Sequence, residues 1–171
     1  MILFIICLVS SLILGLTYNL VHKRIELQAR EEEGQALLVV LPQAKEFAKD
    51  QLKDFTYYKG TSDSQLIGYV LRLEAIGYAG PIQMLVGMDK TGLIQGVEIL
   101  SQQETPGLGS RITEIKPGQN CPWFLEQFKG KDKTKLDLEN IQAITGATIS
   151  SKAVVETVRD NVDKFLLELR P

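Results

Sequence analysis

The chain has 171 residues and a net charge of only −2, so it carries no basic footprint of the kind a nucleic-acid binder needs. Its one histidine, His22, cannot build a metal site, and no Ser/His/Asp constellation is present, so neither metal ligands nor catalytic residues are expected. The length fits one domain plus an accessory segment.

That accessory segment comes first. Met1 to Leu20 contains no charged side chain. As a helix, about 20 residues rise roughly 30 Å, the thickness of a hydrocarbon core. No basic n-region and no small-x-small cleavage site accompany it, which separates it from a signal peptide. Residues 1–21 are therefore expected to be an uncleaved, single-pass transmembrane anchor in contact with membrane lipid. Cys7 belongs to that segment, so pairing with Cys121 is not expected. Ser10, Ser11 and Gly15 are small enough for another membrane helix to approach. His22-Lys23-Arg24 follow directly, and the positive-inside rule applied to them alone places the rest of the chain in the cytoplasm. Residues 22–34 read as a charged helical linker.

From Gln35 the composition changes. Gln35 to Leu41 is apolar enough to dock on a domain, and Pro42 marks a boundary. Phe47, Phe55, Tyr57 and Tyr58 lead into strands. Ile67 to Ile76 reads as one strand, Ile82 to Met88 as a second and Leu93 to Leu100 as a third. The turns are Tyr78-Ala79-Gly80-Pro81 and Asp89-Lys90-Thr91-Gly92. Short turns between successive strands predict an antiparallel sheet. Cys121 to Phe128 reads as a short helix opened by Pro122, with Trp123, Phe124 and Phe128 as core. Lys129 to Lys135 is a solvated face, and Lys135 to Ile144 is a strand-like run with Leu136, Leu138 and Ile141 as its apolar members. Beyond it, Val154, Val155, Val158, Val162, Phe165, Leu166 and Leu169 fall on one face of a long helix. The fold class is α+β, with the domain over residues 35–171.

Two stretches carry chemistry. Glu104-Thr105-Pro106-Gly107-Leu108-Gly109 packs one Pro and two Gly into six residues, which forces a tight loop. Gln142-Ala143-Ile144-Thr145-Gly146-Ala147-Thr148-Ile149-Ser150-Ser151 opens the last helix. Gly146 lets the backbone bend close to a ligand, and Thr148, Ser150 and Ser151 are all candidate caps. Thr148 thus presents a hydroxyl at a helix N-terminus, where unpaired N–H groups and the helix dipole favour an anion. Lys152 adds a positive charge beyond it.

Thr145-Gly146-Ala147-Thr148 resembles the flavinylation motif of the FMN-binding domain family, and Glu104 to Gly109 resembles a second motif of that family. The resemblance implies FMN joined covalently to Thr148 through a phosphoester, made by a separate flavin transferase with FAD as donor. It implies that Glu104 and Thr105 hydrogen-bond the flavin while Gly107, Leu108 and Gly109 lie against its ring. Thr145, Gly146, Ala147, Ile149 and Ser150 complete the implied cofactor-binding set. One position departs from the pattern: Gln142 stands where the family usually has an acidic residue. A short chain with one N-terminal span is similar to the G subunits of Rnf complexes, which move electrons between ferredoxin and NAD and couple the transfer to Na⁺ or H⁺ transport. The implied partners are the other membrane subunits of such a complex. The implied location is the cytoplasmic (inner) membrane with the flavin domain outside, opposite to the reading from the basic cluster. Two rivals share the same residues: a stand-alone membrane-anchored flavoprotein, and a flavin-free binding or structural module, which Gln142 favours.

Overall fold

The structure is a computed structural model that describes residues 2–169. Met1, where the expected anchor begins, and Pro171, where the expected domain ends, lie outside the described residues. The chain divides after Gln35 into two compact units. One long helix, α1 (Ile2–Val40), supplies all the described structure of the first unit. Ile2, Leu3, Phe4, Ile13 and Leu14 expose more than half of their surface there. Among the described residues no helix is long and apolar enough to count as a membrane span.

The second unit is a five-stranded antiparallel meander followed by loops and a helix. Its strands are β1 (Glu46–Leu52), β2 (Phe55–Ser62), β3 (Gln65–Ile76), β4 (Pro81–Asp89) and β5 (Ile94–Gln102), hydrogen-bonded in sequence order. Tight turns make that order inevitable. In the β4–β5 turn, Asp89 Oδ1 accepts from the N–H of Thr91 (2.8 Å) and of Leu93 (3.0 Å), closing the loop locally. Alternation along each strand then sorts side chains to two faces. Tyr57, Leu71, Val86 and Val97 line up across four strands on what we term the front. Tyr58, Val70 and Leu85 point to the back.

The front is covered by α3 (Thr148–Leu169), whose Val154, Val155, Val158, Val162 and Phe165 are buried. The back is covered by the end of α1 and the turn after it, through Ala36, Leu37, Val40, Leu41 and Ala44. Of the stretch expected to dock, Ala36, Leu37, Val40 and Leu41 are buried on the sheet, and Gln35 is exposed.

Three local expectations need correction. The region around Phe47 and Phe55 resolves into two separate strands, with Lys53 in the left-handed conformation (φ 49°) at their turn. The short helix α2 covers only Trp123–Glu126, less than the expected 121–128, and Pro122 opens it as the N-cap. The segment from 136 to 145 is not a strand. Asp137 Oδ1 accepts from the N–H groups of Glu139 (3.0 Å) and Asn140 (2.8 Å), a local turn that competes with extended pairing. The side chain of Gln127 binds the backbone of Gln142 on both sides, accepting from its N–H at 2.8 Å and donating to its carbonyl at 3.2 Å. Leu136 and Ile141 are buried within these turns, while Leu138 is exposed.

Candidate functional site

The two chemical stretches are brought to one place by the end of β5 and the start of α3. Past β5, the Gln102 side chain accepts from the Glu104 N–H at 2.6 Å and sets the exit of the loop. The Thr105 carbonyl then accepts from the N–H groups of Leu108 (3.1 Å) and Ser110 (3.3 Å), and Gly107 N–H donates to Ser110 Oγ at 3.0 Å. A 3₁₀ turn over Gly109–Thr113 follows. It is held at its far end by Arg111 Nε donating to Glu114 Oε2 at 2.9 Å, a bond that lowers the Glu114 pKa.

On the other side, Ala147 N–H donates to the Ile144 carbonyl at 2.9 Å and Gly146 takes φ +82°. A Cβ at Gly146 would press on the Leu108 side chain at 3.3 Å, in a backbone conformation that L side chains rarely adopt. The glycine therefore both turns the chain and lets it pass close to the 104–109 loop. α3 starts at Thr148, with Ser151 N–H bonded to the Ala147 carbonyl.

Four hydroxyls lie in this short segment, and the structure separates them. Ser150 is buried and donates to Glu104 Oε2 at 2.6 Å. Ser151 is buried, donates to the Ala147 carbonyl and accepts from the Ile144 N–H, both at 3.0 Å. These two expected caps are thus engaged in tying the turn and the neighbouring loop. Thr145 and Thr148 are exposed. Of the four, Thr148 and Ser150 border a cleft of about 440 Å³, and only Thr148 does so as an exposed group.

The cleft also touches Glu104, Thr105, Leu108 and Gly109 from the first stretch, and Gly146, Ala147 and Ile149 from the second. Thr145 and Gly107 of the expected set lie outside its lining. Tyr78, which sequence reasoning left in a turn, is part of the wall and is 72% exposed. A large aromatic displayed on a turn between two buried strands was the signal available. Leu108 and Ile149 are likewise exposed apolar side chains. A flat apolar group can lie against such walls, and an anion can sit at the N-terminus of α3, where the first N–H groups have no helical carbonyl to bind. Glu104 is the one charged residue of the lining, and both of its oxygens hold protein donors: Ala79 N–H at 3.0 Å and Ser150 Oγ at 2.6 Å. Lys152 is turned to a neighbouring groove and pairs with Glu156 at 3.8 Å.

The FMN-binding domain family model matches residues 77–163, which hold both loops and most of α3. The chain belongs to the FMN-binding domain family. This FMN-binding chain is 33% identical to the G subunit of the ion-translocating oxidoreductase complex of Methanosarcina acetivorans, over 93% of its own length and 88% of that protein. It is 31% identical to the G subunit of the proton-translocating ferredoxin:NAD(+) oxidoreductase complex of Clostridium ljungdahlii, over 92% of its length and 85% of that protein. Its fold is similar to that of the C subunit of the Na(+)-translocating NADH-quinone reductase from Parabacteroides distasonis. That likeness has a TM-score of 0.53 at 24% identity, covering 68% of this chain and 63% of that one.

Proposed function

We propose that this chain is the flavin-carrying subunit of an Rnf-type membrane complex, one that moves electrons between ferredoxin and NAD and couples the transfer to Na⁺ or H⁺ translocation. We infer further that its FMN is bound covalently to Thr148. The observation that carries this reading is the single cleft in which the exposed Thr148, the N-terminus of α3 and the 104–109 loop meet. The relatives named above as members of such complexes, matched over nearly their full length, support the assignment.

The residues fit the group. Thr148 Oγ1 would form the new bond to the flavin-side phosphorus of FAD as the pyrophosphate bond breaks. AMP would leave and the hydroxyl proton would pass to solvent, with a flavin transferase as catalyst. The first N–H groups of α3 would then hold the phosphate, and its dipole would offset the charge. Leu108, Ile149 and Tyr78 would shield the ring, and Gly146 keeps a side chain out of its path. Bound FMN supplies the electron-accepting and electron-donating chemistry, and the protein positions it.

The uncharged start of α1 serves in this reading as the membrane anchor, with the flavin domain on the extracytoplasmic side. From Ile2 to Leu20 it would rise about 28 Å, close to the thickness of a hydrocarbon core. Its exposed apolar side chains find no core of their own. A covalent link would keep the cofactor from being lost outside the cytoplasm.

The test is flavin fluorescence in a denaturing gel after co-expression with a flavin transferase. We expect a fluorescent wild-type band and a dark Thr148→Ala band. A wild-type band that stays dark while a known flavinylated control lights up would overturn the flavin reading. The second reading, a flavin-free module, draws on Gln142, whose side chain is exposed where the transferase would approach. A dark wild type rescued by Gln142→Asp would mean a competent site that is poorly recognised.

A further inference from the structure

We propose that Glu104 is a positioning residue: its buried carboxylate ties three separate segments together and so holds Thr148 at the cleft. The proposal rests on the flavin reading of that cleft but makes a claim about the protein alone. Glu104 is only 6% exposed. Its Oε1 accepts from the Ala79 N–H at 3.0 Å, in the turn between β3 and β4. Its Oε2 accepts from the Ser150 hydroxyl at 2.6 Å, in the first turn of α3. These partners lie 25 and 46 residues away in sequence, so one side chain closes two long loops onto its own.

The slot is built to the shape of the carboxylate. A Cβ at Gly77 would collide with Oε1, and a Cβ at Gly109 would collide with Oε2. Glycine at both places lets the backbone close around the group. The O–H···O contact with Ser150 at 2.6 Å is at the short end of the range for hydroxyl donors. Ser150 is 1% exposed, so removing its acceptor would leave a hydroxyl in a dry site without its partner. Two residues before Ser150 stands Thr148. Any loosening of the first turn of α3 moves the hydroxyl that must meet the flavin phosphate. In this arrangement Glu104 faces the protein, whereas the sequence pattern suggested a flavin contact.

The experiment compares full-length wild type with Glu104→Ala, Glu104→Gln and Ser150→Ala. One arm measures covalent flavin per protein after co-expression with the transferase. The other measures deuterium uptake of residues 145–151 in protein made without the transferase, which needs no flavin. Glutamine keeps the length: its carbonyl can accept from Ala79 N–H and its amide can donate to Ser150 Oγ. We expect Glu104→Ala to lose flavin about tenfold or more, as a misplaced reacting group would, and to exchange faster over 145–151. We expect Glu104→Gln to fall between wild type and Glu104→Ala in both arms, since the bond from Ala79 N–H can remain while the Ser150 hydroxyl loses its acceptor. Wild-type uptake in Glu104→Ala would overturn the proposal. So would a Glu104→Gln protein that loses flavin with unchanged uptake, because the charge would then act on the flavin directly. Should Glu104→Ala fail to fold, Ser150→Ala removes one of the two bonds alone, and unchanged uptake there would overturn the proposal equally. A dark wild type would sink the flavin reading while the exchange arm still decides the role of Glu104.

Discussion

The front of the sheet carries α3, α2 and both chemical loops, and it buries Phe55, Tyr57, Tyr69, Leu71, Val86 and Phe165 in one continuous core. Among the described residues, the back carries only the end of α1 and the turn after it, over Tyr58, Val70 and Leu85. On the front, the ring of Phe165 lies 5.0 to 5.7 Å from those of Tyr57, Tyr69 and Phe55. On the back, Leu85 is flanked in register by Arg72 and Glu98, so a large apolar side chain sits in a polar row. The difference teaches where the site gets its rigidity. The cleft is built on the face with the larger buried core, while the face covered by residues 36–44 buries a smaller one.

Substitutions can break that contrast. Phe165→Ala should have the largest effect, a loss of about 3–5 kcal/mol in denaturant unfolding, because a fully buried aromatic is removed from a ring cluster. Leu41→Ala on the back should cost less, about 2 kcal/mol, since the adjoining chain can partly collapse into the space. Equal losses for the two would erase the distinction between the faces.

Glu98 sharpens it further. Burial raises its pKa above the usual 4.5. Its contribution to stability is thus complete below that value and is lost as pH rises through the raised pKa. Ionising this half-buried carboxylate works against the fold, so Glu98→Gln should raise the melting midpoint on the alkaline side of its titration by a few degrees at most. The gain should vanish in acid, where the wild-type side chain is protonated. A lower midpoint in the variant on the alkaline side would show that the charge is needed on the back.

The smallest effect belongs to the edge. On β1, Asp50 is held by Lys59 at 2.7 Å and by Tyr57 Oη at 3.0 Å, and its pKa falls from 3.8 to about 2. Its contribution is present above 3.8 and is lost as pH falls toward 2. Because the group is exposed, Asp50→Asn should flatten the acid side of the stability profile only slightly. An identical acid profile in the two proteins would mean that the edge contact adds nothing.

Much of this molecule was legible in order of residues. The 3.6-residue spacing from Val154 to Phe165 announced α3 and its buried face, because a helix that covers a sheet must repeat its apolar residues at that period. The alternation and turn residues from Ile67 to Leu100 announced three strands, because side chains in a strand alternate faces. The pattern at 142–151 and the pattern at 104–109 could be read as chemistry one at a time. The segment before Gln142 looked extended, and local bonds from Asp137 and Gln127 turned it into loops, since side-chain acceptors can replace a neighbouring strand. What only the tertiary structure shows is how different the surroundings of these hydroxyls are. Thr148 and Ser150 are two residues apart and chemically alike. One is left facing a cleft, and the other is consumed by a carboxylate 46 residues away. No local rule contains that distance. It follows from the way the sheet and α3 bring Glu104 to the helix N-terminus, and Tyr78 joins the wall of the cleft for the same reason.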